Sequence, residues 1–125
     1  MAVTFVEENA GGLAKIKATW LSDTAGAATG TTTYPYNAYP IRVSFVPDGG
    51  GTAPTDAYDI VVTDSDGIDI LNGNGANLSS TVTATKTPND GIAPFTGKLT
   101  VTVANAGEAN GGNVYLYLQP INGRK

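Results

Sequence analysis

The chain has 125 residues, a formal net charge of -4, no Cys and no His. Its length suits one domain, taken as residues 1–125. The missing residues exclude disulfides, thiolate chemistry and histidine general bases, and the acidic balance argues against nucleic acid, which needs a basic face.

The chain opens on Met1-Ala2-Val3-Thr4-Phe5 and meets Glu7 and Glu8 at once. With no charged lead it reads as a short strand over Val3–Val6 and not as a signal peptide. Leu13 to Leu21 follows, in which Ile16, Ala18 and Trp20 alternate with Lys15, Lys17 and Thr19. That period of two predicts a strand with its basic residues facing out. Asp23 to Pro40 reads as a long loop, small and polar at first and then crowded with Tyr34, Pro35, Tyr36, Tyr39 and Pro40. A strand is expected over Ile41–Val46, stopped by Pro47-Asp48-Gly49-Gly50-Gly51.

Tyr58, Ile60 and Val62 mark another strand, and Ile68 and Ile70 its hairpin partner. Asp64-Ser65-Asp66-Gly67 between them reads as a type I turn whose Gly67 can take a positive φ in a bulge. Thr81–Thr85 is read as a strand with Val82 and Ala84 inward, and Leu99, Val101 and Val103 as the buried face of the next. Asn105 to Asn113 is a flexible connection to a last strand. There Val114, Leu116 and Leu118 point in and Tyr115 and Tyr117 point out. About seven to nine short strands with Gly, Pro, Asn and Asp turns make an all-β chain, an antiparallel β-sandwich or a jelly-roll-like barrel. No apolar run approaches the ~18 residues of a membrane helix, so no membrane partner is expected. Sixteen Gly against three Phe, one Trp and one Met predict a light core that gains support from neighbouring subunits.

Asp64, Asp66 and Asp69 raise the question of calcium, because spaced carboxylates around a Gly turn open Ca²⁺ loops. The later liganding positions and a closing bidentate Glu are missing, and a plain turn accounts for the same residues. Glu7, Glu8, Asp56 and Asp59 supply carboxylates but no spacing that selects an acid–base pair. No catalytic, cofactor or metal residue is therefore assigned, and no enzyme is expected. Thr81, Thr83, Thr85, Thr100 and Thr102 read as solvated strand positions. The tyrosines carry the strongest signal. Tyr joins a large apolar area to a hydrogen-bonding tip and suits interfaces, sugars, or the capping of one end of the fold. Phe5, Tyr34, Tyr36 and Tyr39 are the candidate interface residues, with the Val3-Thr4-Phe5 strand placed to pair with a neighbouring copy.

The stretches YDIVVTDSDGIDIL, GNGANLSS and GKLTVTVANAGEANGGNVYLYL, within Tyr58–Leu118, resemble small structural proteins from the virion genes of tailed bacteriophages. The resemblance covers about half the chain. It implies a non-enzymatic virion component, made in the host cytoplasm, without cofactors. Within that class a small acidic β domain is similar to the decoration (cement) proteins on the outside of the head. The partners implied are the major capsid protein and further copies of the chain, as a homotrimer. A tail or head–tail joining component, or a carbohydrate-binding β-sandwich module, are the alternatives.

Overall fold

A computed structural model describes residues 3–10 and 12–120. The Met1-Ala2 start, Gly11 and the basic Arg124-Lys125 end lie outside the described residues. Among the described residues nine strands run in chain order: β1 (Val3–Ala10), β2 (Leu13–Leu21), β3 (Ala28–Thr31), β4 (Tyr36–Pro47), β5 (Asp59–Thr63), β6 (Ala84–Lys86), β7 (Phe95–Gly97), β8 (Thr100–Ala104) and β9 (Gly111–Pro120). Single 3-10 turns at Gly50–Thr52 and Pro88–Asp90 are the helical pieces among the described residues. None of the described helices is long and apolar enough to cross a membrane.

The fold is all-β and every ladder is antiparallel. One sheet has the order β1-β2-β9-β4-β6, with β7 also paired to β4, and the other has the order β3-β8-β5. Their inner faces share one core. Ile16, Val43, Phe45, Val114, Leu116 and Leu118 come from the large sheet, and Ile60, Val62, Val101 and Val103 from the small one, all within 1% of complete burial. Trp20 and Tyr58 meet in the same interior with ring centroids 5.6 Å apart. The alternation in β2, β5, β8 and β9 puts these side chains inward, as their period of two requires.

Four expectations change. β1 pairs along its whole length with β2, from Val3↔Trp20 to Ala10↔Leu13, so the first strand belongs to its own sheet, as an edge strand. Its other side packs on β3 at Gly30, where an added Cβ would lie 2.7 Å from the Val3 carbonyl and 3.2 Å from the Phe5 ring. Phe5 is thus half-buried at the seam between the sheets. Residues 23–40 are not one loop, because they hold β3 and the start of β4. β4 passes through Pro40 at a register shift between Pro40 and Arg42, where a missing N–H is tolerated.

The turn at Asp64–Gly67 forms as expected, with Gly67 at φ 80° and its N–H donating to the Asp64 carbonyl at 3.0 Å. The strand expected after it does not form. A single bridge, Thr63↔Asp69, stands in its place, leaving Ile68 63% exposed while Ile70 is buried. Likewise only Ala84–Lys86 of the segment at 81–86 is a strand, and Val82 faces solvent at 63% exposure.

Candidate functional site

The tyrosines separate into two settings. Tyr36 opens β4 and points back across the sheet seam to β1, where its hydroxyl donates to Glu7 Oε1 at 2.7 Å. The same carboxylate accepts the Thr33 N–H at 2.9 Å and the Tyr34 N–H at 3.2 Å. Burial pulls the Glu7 carboxyl upward, but the bonds from Tyr36, Thr33 and Tyr34 outweigh it and hold the group below its ordinary value. Burial first, and then the Glu7 charge, push the Tyr36 hydroxyl well above the usual phenol range. Thr32 fastens the other side of this turn. Its N–H donates to the Leu99 carbonyl at 2.9 Å, and its Oγ1 accepts the Leu99 N–H at 3.2 Å and donates to the Tyr34 carbonyl at 2.9 Å. Tyr36 is therefore a structural clamp with its hydroxyl occupied.

Tyr34 is different, with 61% of its surface exposed. It borders an open cleft of about 470 Å³ shared with Glu8, Asn9, Pro35 and Asn37. An aromatic face, amides and a carboxylate around a concavity match the chemistry of a sugar site.

The carboxylates singled out in the sequence face backbone donors. Asp64 Oδ1 accepts from the N–H groups of Asp66 and Ile68, at 2.9 and 3.1 Å. Asp69 accepts from Leu71 and Val62 through Oδ1 and from Gly73 through Oδ2. Asp59 holds Asn77 N–H and the Asn105 amide, and Asp56 holds Ser80 N–H. These side chains shape turns, which explains their density in the chain without invoking chemistry. Among the described residues no group of three or more acidic, His or Cys side chains is placed to hold a metal. Thr100 and Thr102 lie on the outer face of the small sheet, within hydrogen-bond distance of Thr31 and Thr29 at 2.9 and 3.4 Å.

The outer face of the large sheet was not assembled from sequence. Register places Glu8, Lys15, Tyr117 and Arg42 in one row, and Val6, Lys17, Tyr115, Ser44 and Thr85 in the next. Tyr39 stands beside Gln119 one row further on, 51% exposed. Arg42 lies over the Tyr117 ring at 4.1 Å from its centroid. Lys15 lies 5.7 Å from both Tyr115 and Tyr117, and Lys17 5.9 Å from Tyr115. Each contact is within cation–π range, which orders flexible cations over rigid rings. Three of the chain's seven basic residues thus share a face with three of its six tyrosines, and Glu8 is the one carboxylate in these rows. The signal was present as outward alternation in β2 and β9, but the pairing of β9 with β4 that adds Tyr39 and Arg42 is a long-range event.

Compared with known proteins, the chain matches no protein-family model and no curated protein.

Proposed function

We propose that this protein is a non-enzymatic structural component of a tailed-phage virion, of the decoration type, which works by docking and not by chemistry. The sequence resemblance over Tyr58–Leu118 suggests the class. The observation that carries the docking reading is the outer face of the large sheet. Tyr and Arg are enriched at protein interfaces, and Tyr39, Tyr115, Tyr117 and Arg42 supply both on this face. A rigid sheet presents it without an ordering cost at the moment of binding. The major capsid protein and further copies of the chain are the partners in this reading, and the assembled virion is its location.

Mixing the purified protein with empty heads of the phage that encodes it, followed by gradient sedimentation, tests this. Saturable co-migration with heads supports the reading, and migration with tails alone would move the protein to the tail or joining position. Protein left at the top of the gradient with both overturns it. The cleft beside Tyr34 favours a second reading, a carbohydrate-binding module. Glycan-array binding abolished by Tyr34→Ala, with the Glu7–Tyr36 clamp left intact, would support it.

A further inference from the structure

The charge on this molecule is unevenly placed. From Val43 to Thr85 there is no Lys or Arg, and the stretch carries Asp48, Asp56, Asp59, Asp64, Asp66 and Asp69. Most of these border β5, in the sheet across the core from the cationic tyrosine face. The Asp64–Ile68 turn projects from that acidic side with Asp66 exposed and with Ile68 as solvent-open as any large apolar residue described. One surface therefore offers cations among aromatic rings, and the other offers carboxylates beside an aliphatic side chain. Within one copy the two belong to opposite sheets.

We propose that the outer face of the large sheet, built on Lys15, Lys17, Arg42, Tyr39, Tyr115 and Tyr117, binds the Asp64–Ile68 turn of a second copy of this chain. The inference rests on the docking reading above and names the occupant of that face. Charge complementarity selects the partner. A carboxylate pair meets three ring-ordered cations, and Ile68 meets tyrosine surface, so both the polar and the apolar parts of each side are matched. The contact joins unlike surfaces, so it is heterologous. It closes into a ring if the rotation allows and otherwise extends as a chain. Four strands at ~4.8 Å spacing and about eight residues at ~3.3 Å rise give a face on the order of 500 Å². That is small beside the ~800 Å² per partner of a standard interface, so a single contact is weak and ring closure strengthens it.

The test is light scattering and sedimentation on the purified full chain, at roughly 20 mM and roughly 500 mM salt. The wild-type protein assembles at low salt, either as a discrete ring or as concentration-dependent chains, and raised salt weakens it. Lys15→Glu with Lys17→Glu and Arg42→Glu gives a monomer, as does Asp66→Lys, which reverses the exposed charge and leaves the Asp64 turn bonds in place. Mixing the two variants restores assembly, because each reversed surface meets its reversed partner. Arg42→Gln and Asp66→Asn, at exposed positions, each weaken self-association several-fold and serve where a multiple variant does not fold. A wild-type monomer at every concentration and both salts, or assembly unchanged in the variants, overturns the proposal. Binding to phage heads is read in the separate sedimentation experiment, so failure of self-association and failure of the virion reading are distinguishable.

Discussion

Glu7 is the side chain whose removal the structure allows to be worked through most fully. It collects three donors from the β3–β4 turn and from Tyr36 and so ties that turn to β1, at the seam where the two sheets meet. Glu7→Ala leaves all three without their acceptor. A net ~0.5–1.5 kcal/mol per bond gives a range of about 1.5–4.5 kcal/mol. Glu7 is only half-buried and water reaches the vacated site, so the lower half of that range, about 1.5–2.5 kcal/mol, is expected. At roughly 3–5 °C per kcal/mol for a domain of this size, the midpoint should fall by about 5–12 °C. The effect has a pH signature. The folded carboxyl lies below its ordinary value of 4.5, so its contribution is present above that value and is lost as pH falls through the lower folded value. Denaturant melts of wild type and Glu7→Gln should therefore differ at pH 7 and converge as acidification carries the folded carboxyl through its lowered value. Equal stability at pH 7, or a gap that stays constant into acid, would show that the carboxylate does not hold the turn.

Gly30→Ala should destabilise by about 1–3 kcal/mol in chemical denaturation, because its Cβ would meet the Val3 backbone where β3 closes on β1. Asp69→Ala should cost about 1–3 kcal/mol by removing the acceptor for Leu71 and Gly73, whereas Asp66→Ala should leave the melting curve within ~0.5 kcal/mol. Millimolar calcium should shift neither curve if these carboxylates serve backbone donors as drawn. Burial pushes the Tyr58 hydroxyl up to about 12, so the folded state holds it neutral. The stability that this adds is complete below the unfolded phenol value of about 10 and is lost as pH rises toward 12. Urea melts between pH 9 and about 11.5 should show the decline, reduced in Tyr58→Phe.

The core strands were legible because their burial is set by local alternation. Ile16, Ala18 and Trp20, like Val114, Leu116 and Leu118, sit in neighbours on one sheet and point inward as a period of two demands. The failures have a common cause, which is side chains that bind backbone and take it out of the ladder. Asp64 and Asp69 capture five N–H groups between them, counting the long bond from Val62, and turn the chain before Ile68 and Ile70 can share a face. Ser79 does the same to Thr81 and Val82, so that segment stays outside the sheet until Ala84. From sequence, Tyr36 and Tyr39 read as loop residues and not as strand residues, because Pro40 marks a break in any local pattern. Only the pairing with β9 carries β4 through it.

The same separation of local from long-range explains the candidate face. Alternation says that Lys15 and Lys17 point out, and that Tyr115 and Tyr117 point out, but not that they are neighbours. Placing β9 between β2 and β4 makes them so, and brings Arg42 and Tyr39 alongside. A strand pairing that served only stability would be indifferent to the solvent side, and mixed charges would do there. Here the acidic residues that dominate the chain are spent on turns at the other sheet, while the outer face of the large sheet has cations stacked on rings and a single carboxylate. Sheet edges, the usual route to unwanted pairing, are partly covered. β3 lies on β1, and the 69–79 segment covers β5 through the bonds Ile60 N–H to Gly75 and Leu78 N–H to Tyr58. With those edges partly covered, the proposed association falls on a face, where side-chain charge and shape decide the partner.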